Sequence, residues 1–175
     1  IISYSGNLKV SVKEKIRIRK HTGYKPETKY QNKFIVQSFI PGLTNDWKVL
    51  VYGDHYYILK RGIKDNDFRA SGSHYNYKAG SKSEFPLHML DTIEKIYNML
   101  EVPHLSLDFA YDGEKGYVHE FQAIYFGTST LEFCDDYYIK KDGKWTTEPQ
   151  QFDQEEEYVW GVVDFLKKHK QLSGK

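Results

Sequence analysis

The chain has 175 residues, with 25 Lys and Arg against 24 Asp and Glu, and a single cysteine. This length is one domain's worth of sequence and is enough to bury a real core. The near balance of charge gives no bulk attraction to nucleic acid or to an anionic membrane. The one cysteine, Cys134, excludes an internal disulfide framework and a cysteine-rich zinc site, and we expect it to be a small buried side chain.

No apolar run approaches the ~20 residues that a membrane-spanning helix needs, and the N-terminus has no signal-peptide pattern. With the single cysteine, this predicts a cytoplasmic protein with no membrane and no nucleic acid among its partners. A homo-oligomer is compatible with the sequence. Because the chain starts abruptly at Ile1, we expect it to be a piece of something longer.

The first third of the chain predicts strands separated by a connector. In residues 7 to 19, apolar and polar residues alternate as in a strand, and the later part of the segment is also compatible with a helix. Its basic side chains are expected on the solvent-exposed face. Residues 20 to 32 contain Gly and Pro and are predicted to form a connector between the strands. Residues 33 to 40 favour a strand, which Pro41 and Gly42 end.

A hairpin is predicted next, with strands over residues 46 to 52 and 55 to 61 around a Gly-Asp turn. Its register pairs residue 46 with 61, so Asp46, Lys48 and Arg61 share one face. The opposite face carries the apolar residues Trp47, Val49, Val51 and Ile58. A cross-strand salt bridge on an open face explains the charges equally well, and such pairs are worth little.

A long loop and a helix separate this hairpin from the next one. Residues 62 to 83 show no periodicity, and a loop of this length is usually functional or disordered. Residues 84 to 100 predict a helix capped by Ser83. Its apolar stripe consists of Met89, Leu90, Ile93, Ile96, Tyr97 and Leu100.

The second hairpin, over residues 104 to 112 and 117 to 123, places two carboxylates side by side. A turn centred near Glu114 sets Asp108 opposite Glu120, with Gln122 on the same face. The other face is predicted to be core and carries Leu105, Leu107, Phe109, Tyr117 and Phe121. Facing carboxylates repel unless a cation or shared proton neutralises them, and oxygen ligands of this kind suit Mg²⁺. The alternative is a solvated face with Glu120 paired to a lysine.

The last third predicts three simple elements. Residues 125 to 131 are a loop, and residues 137 to 145 form a small hairpin. Residues 153 to 169 form a helix whose acidic start and basic end suit the helix dipole without any partner.

Six short segments resemble, in order and approximate spacing, the C-terminal half of the ATP-grasp ligases, in the branch that contains the ribosomal-protein glutamate ligase. These segments are Gln37 to Gly42, Asp46 to Gly53, Leu59 to Arg61, Asp67 to Gly72, Leu107-Asp108 and Glu120 to Gln122. The resemblance implies an α+β fold, the ATP-grasp C-terminal lobe, with an antiparallel sheet and flanking helices on one side. Residues 1–32 would be the trailing part of the N-terminal lobe and a connector, residues 33–175 would be the C-terminal lobe, and the N-terminal part of the fold would be missing.

The resemblance also implies a nucleotide site. The family's hinge strand contacts the adenine of ATP through its backbone and its apolar side chains. The matching residues here are Gln37, Ser38, Phe39 and Ile40. Asp46 matches the acidic residue that accepts hydrogen bonds from the ribose hydroxyls, and Lys48 matches a basic position near it.

For the chemistry, the resemblance implies transfer of the γ-phosphoryl group of ATP to a carboxylate, followed by attack of an amine on the acyl-phosphate. Arg61 matches the arginine that meets phosphate or the acyl-phosphate, a role for a planar fork of donors. Arg69, with Ser71 and Gly72, matches the mobile loop that closes over the reacting carboxylate.

The metal ligands are implied in the same way. Asp108 and Glu120 match the two carboxylates that hold Mg²⁺ or Mn²⁺, and Gln122 stands where the family usually has Asn. Two other functions remain open: a nucleotide-binding or regulatory module that does no ligation, and a metal-dependent phosphohydrolase. The identity of the carboxylate and the amine is not encoded in these motifs.

Overall fold

The computed structural model describes residues 36–67, 70 and 72–173, with side chains in the last helix described as far as Lys170. The chain divides into two compact units, Ile1–Phe39 and Ile40–Lys175. The predicted strand over residues 7–19, the predicted connector, Arg69 and Ser71 lie outside the described residues. Residues 36–40 have no regular secondary structure, so the predicted strand is wrong over this part.

The second unit is an α+β structure with an open antiparallel sheet and flanking helices. Its seven strands are β1 (Asn45–Tyr52), β2 (His55–Gly62), β3 (Lys78–Ala79), β4 (His104–Tyr111), β5 (Gly116–Gln122), β6 (Asp136–Lys141) and β7 (Lys144–Pro149). They lie in the order β5-β4-β1-β2-β6-β7, with β3 also paired to β2. The helices are α1 (Leu90–Leu100), α2 (Ser129–Phe133) and α3 (Gln154–Ser173).

The hairpin of β1 and β2 forms the centre of the sheet with the predicted register. Tyr52 pairs with His55 and Asp46 pairs with Arg61. Gly53 opens the two-residue turn at φ 62°, a left-handed conformation that glycine adopts without a steric penalty. The predicted hairpin near residue 141 is also confirmed, as β6 and β7.

Helices cover both faces of the sheet, so the prediction of helices on one side is wrong. Helix α1 packs on Val49 and Val51, whereas α2 and α3 pack on the face that carries Leu50 and Tyr52. The central strands are apolar on both faces, and each face therefore needs a covering layer. None of the helices in the described part of the chain is long and apolar enough to cross a membrane.

Helix α1 begins later than predicted, although its apolar stripe is confirmed. Leu90, Ile93 and Tyr97 are buried in the core. Glu84 adopts a left-handed φ of 56°, and Pro86 disfavours a helical conformation at the residue before it. A 3-10 turn at Leu87–Met89 therefore precedes the helix, which starts at Leu90 instead of residue 84.

The end of the chain is more helical than predicted. The expected loop over residues 125–131 includes the start of α2, and α3 runs from Gln154 to Ser173. Helix α3 starts with a reciprocal cap in which Asp153 accepts a bond from the Glu156 amide and Glu156 accepts one from the Asp153 amide. The predicted start at residue 153 thus coincides with the cap.

Strands β4 and β5 pair with Asp108 opposite Glu120, as predicted, but a bulge follows. Beyond it Phe109 pairs with Val118, and Tyr117 moves to the face of Ala110. Phe121 keeps the predicted face and is nevertheless 55% exposed. The core assignment of Tyr117 and Phe121 is therefore wrong, because β5 is the edge strand and the cluster under α1 ends at β4.

Candidate functional site

Four strands carry charged or polar side chains to one end of a single sheet face. Pairing of β1 with its two neighbours sets Asp46 beside Arg61 and Lys48 beside Asp108. Pairing of β4 with β5 adds Glu120 opposite Asp108. The alternation of side chains then places Gln122 on the same face.

Asp46, Arg61, Asp108 and Lys48 form a continuous network of ion pairs. The Arg61 guanidinium donates from Nε and Nη2 to the two carboxylate oxygens of Asp46, at 2.7 and 2.6 Å. Its Nη2 also lies 3.1 Å from Oδ2 of Asp108, whose Oδ1 is 2.9 Å from Nζ of Lys48. Asp46 and Arg61 are buried, so the alternative of a salt bridge on an open face is wrong.

The network alternates in sign, and this decides the protonation of its members. Burial alone would raise the pKa of Asp108, but Arg61 and Lys48 together hold that pKa below its ordinary value. Burial raises the pKa of Asp46, and the bonds from Arg61 oppose that rise. For Arg61, burial is outweighed by the two carboxylates, which raise its pKa and fix its positive charge.

Ser106 of β4 has unmet hydrogen-bonding capacity beside the network. Its buried Oγ has no hydrogen-bond partner among the described residues. Ser106 lies two residues before Asp108 and directly opposite Gln122. Buried polar groups are usually satisfied, so this hydroxyl indicates a place where a ligand or water completes the site. His104, whose buried Nδ1 also has no hydrogen-bond partner in the described part of the chain, pairs with Tyr52 at the other end of β4.

A metal ion fits the chemistry of the site only in part. Asp108, Glu120 and Gln122 offer oxygen ligands on one face, as Mg²⁺ requires. The Asp108 carboxylate, however, already faces two cations. No group of three acidic, histidine or cysteine side chains suited to a metal occurs within the part of the chain that the structure describes. A divalent ion held here would therefore need oxygen atoms from its ligand, such as those of a phosphate.

The other predicted site residues that the structure describes are divided between the two units. In the first unit, Gln37 and Ser38 are exposed and Phe39 is 75% exposed. In the second unit, Ile40 is partly buried, and the exposed Gly72 has a φ of 71°. The adenine wall and the closing loop therefore stay predictions.

Searches against protein-family models, curated proteins and solved structures found no match. The case for any function of this chain therefore depends on its own residues and geometry.

Sequence reasoning missed a second buried charged cluster, at the opposite end of β1 and β2. Glu157 of α3 is fully buried and accepts a 2.6 Å hydrogen bond from the hydroxyl of Tyr57. Nδ1 of His55 lies 3.0 Å from each oxygen of the same carboxylate. The ring of His55 stacks on Trp160, with centroids 5.2 Å apart.

This cluster attaches α3 to the sheet. The helix dipole does not account for Glu157, whose contacts are with His55 and Tyr57 of the same chain. No signal in the sequence singled it out, since it follows Glu155 and Glu156 in an unbroken acidic run. Ser106, in contrast, could have been found, because it has the same strand parity as Asp108.

Proposed function

We propose that this chain is the nucleotide-binding lobe of an ATP-grasp carboxylate-amine ligase that acts through an acyl-phosphate. The supporting observation is the meeting of three separate sequence segments at one end of one sheet face. Asp46, Arg61 and Asp108 come from three strands and contact one another directly. The resemblance assigns these same positions to ribose, phosphate and metal.

The charge network suggests how the site would treat a phosphate. Arg61 keeps its positive charge and a planar fork of donors, although two carboxylates occupy it in the free protein. An incoming phosphate would compete with Asp108 for Arg61 and Lys48, and release Asp108 toward Glu120. Asp108, Glu120 and Gln122 would hold Mg²⁺, which would neutralise part of the negative charge of the phosphates.

A nucleotide-binding module without ligation is the second candidate. It is favoured by the ion pairs that already engage both Lys48 and Arg61, and by Gln122 at the position where the family has Asn. Neutralised cations contribute less to a charged transition state than free ones. Such a site would bind a nucleotide and leave it intact.

Titration of Mg-ATP into the protein, followed by NMR, tests the nucleotide site. The residues of the ion-pair network, with Glu120 and Gln122, lie on one sheet face. We therefore expect binding no tighter than about millimolar, equivalent to about 4 kcal/mol. Glu120→Gln should weaken Mg-dependent binding several-fold, because the exposed Glu120 faces the site. The matched control is Glu114→Gln, an exposed glutamate in the turn of the same hairpin, which should bind as the wild type does.

Two outcomes would contradict this proposal. Absence of shifts near β4 and β5 at saturating Mg-ATP would exclude the site. Equal affinity of Glu120→Gln and wild type would remove Glu120 from it. A micromolar dissociation constant would instead contradict the expected millimolar affinity.

Release of ADP distinguishes the candidate functions. A ligase should release ADP only when both a carboxylate and an amine are supplied, whereas a phosphohydrolase should release it without either. A binding module should release none. The assay requires a panel of carboxylates and amines, with the Glu120→Gln variant as the negative control.

A further inference from the structure

Helix α3 exposes a continuous apolar stripe on the side that faces away from the sheet. Glu157 and Gly161 lie buried on its inner side. On its outer side, Val159 is 62% exposed and Leu166 is 49% exposed, with Val162 and Val163 between them. Valine and leucine at this helical spacing normally mark a buried face.

The stripe borders an open groove of about 350 Å³ at the start of the helix. Phe152, Val159, Trp160 and Val163 form its apolar lining. Glu155 and Glu156 also line it. An apolar groove with carboxylates in its lining suits the apolar face of a helix that carries positive charge nearby.

The charges at the two ends of the stripe make it complementary to itself. Glu155 and Glu156 are exposed at its start, and Lys170 is exposed at its end. An antiparallel copy with the two-fold axis between Val162 and Val163 places Val159 opposite Leu166. The same axis places Glu155 opposite Lys170, so both ends of the seam have opposite charges facing each other.

We propose that this surface binds a second copy of the chain, through antiparallel pairing of the two α3 helices. A self-complementary patch is what a two-fold symmetric dimer requires. The seam spans about 22 Å of helix at ~1.5 Å per residue and uses four apolar residues from each copy, which places it among the small interfaces. The dimer is therefore weak, with a dissociation constant on the order of 10 to 100 µM.

Sedimentation velocity of the whole chain over a range of concentrations measures this equilibrium. Wild type should shift from monomer to dimer above about 100 µM. Val159→Lys should weaken the dimer at least about tenfold, since it buries a charge in the seam. The matched control is Val118→Lys, which alters an exposed valine on the edge strand β5 and should leave the dimer unchanged.

A charge exchange tests the antiparallel arrangement. In a dimer of Glu155→Lys, the new lysine faces Lys170 of the other copy, and in a dimer of Lys170→Glu the new glutamate faces Glu155 of the other copy. Like charges then meet at both ends, so each variant alone should dimerise several-fold more weakly. An equimolar mixture of the two variants restores opposite charges at both ends. The mixture should therefore regain the association of the wild type.

Three results would overturn the proposal. One is a monomer at every concentration up to several times the expected dissociation constant. Another is association lost in Val118→Lys and retained in Val159→Lys, which would place the contact at the sheet edge. The third is failure of the mixed variants to associate better than either alone, which would exclude the antiparallel register. None of these results depends on nucleotide binding.

Discussion

Arg61 stands between two carboxylates, and its replacement would leave Asp46 without its ion-pair partner and Asp108 with Lys48 alone. Arg61→Met should lower the free energy of unfolding by about 3 to 5 kcal/mol, since it leaves the buried Asp46 without a cation. Urea unfolding measures this loss. Lys64→Met, an exposed lysine shortly after the same strand, should change stability by less than about 1 kcal/mol.

Similar losses in the two variants would show that the Arg61 network contributes no more than a surface charge does. Because of the network, the variant Asp46→Ala would be a poor probe of nucleotide binding. Asp46 is buried against Arg61, so its removal would destabilise the fold as well as any nucleotide site. Glu120, which is exposed, is the better probe of binding.

Cys134 illustrates a group whose chemistry is suppressed by burial. Burial raises the pKa of its thiol to about 12 from an ordinary 9.0. The neutral thiol therefore stabilises the fold fully below pH 9, and this contribution is lost as the pH rises toward 12. We expect Cys134 to resist a thiol reagent at pH 8 in the native protein and to react quickly in urea.

Fast labelling of the native protein, at the rate seen in urea, would contradict this burial. The sequence was sufficient for the prediction that Cys134 is a small buried side chain. It was not sufficient for Phe121, whose apolar character and strand parity predict a core position. Whether a residue of that face is covered depends on where the neighbouring helix ends, and local patterning does not carry that information.

At the scale of elements, the packing of α3 on the sheet depends on the buried carboxylate of its own Glu157. Tyr57→Phe removes the donor at 2.6 Å from Glu157, and should cost about 1.5 to 3 kcal/mol, the range for hydrogen bonds to charged groups. In this variant, protection of the backbone amides from hydrogen exchange should fall more in α3 than in α1, relative to the wild type. Tyr137→Phe, a change in the same aromatic cluster, serves as the control.

If protection fell equally in both helices, the bond would stabilise the whole fold and not the docking of α3. The hairpins themselves were predictable from short-range signals. Gly53-Asp54 and Asp142-Gly143 supply turns with left-handed residues, and alternation sets the register from each turn. The bulge after Asp108 was not predictable, because no glycine or proline marks it.

At the scale of the molecule, the sequence predicted the antiparallel sheet but not its order. Alternation within β1 or β4 specifies which residues share a face. It does not specify that β4 pairs with β1. The candidate network needs this pairing, since Asp108 meets Lys48 and Arg61 only across it. The resemblance thus singled out Asp46, Arg61 and Asp108 as candidate site residues, whereas the contacts among them required the topology.

The central position of β1 and β2 has a consequence for synthesis of the protein. This hairpin leaves the ribosome before its sheet neighbours β4 and β6, and before the Glu157 that pairs with His55 and Tyr57. Until then, a strand pair that is apolar on both faces has neither of its covering layers. Exposed apolar surface and unpaired edges favour aggregation. The nascent hairpin is therefore the segment for which we expect a chaperone to matter most.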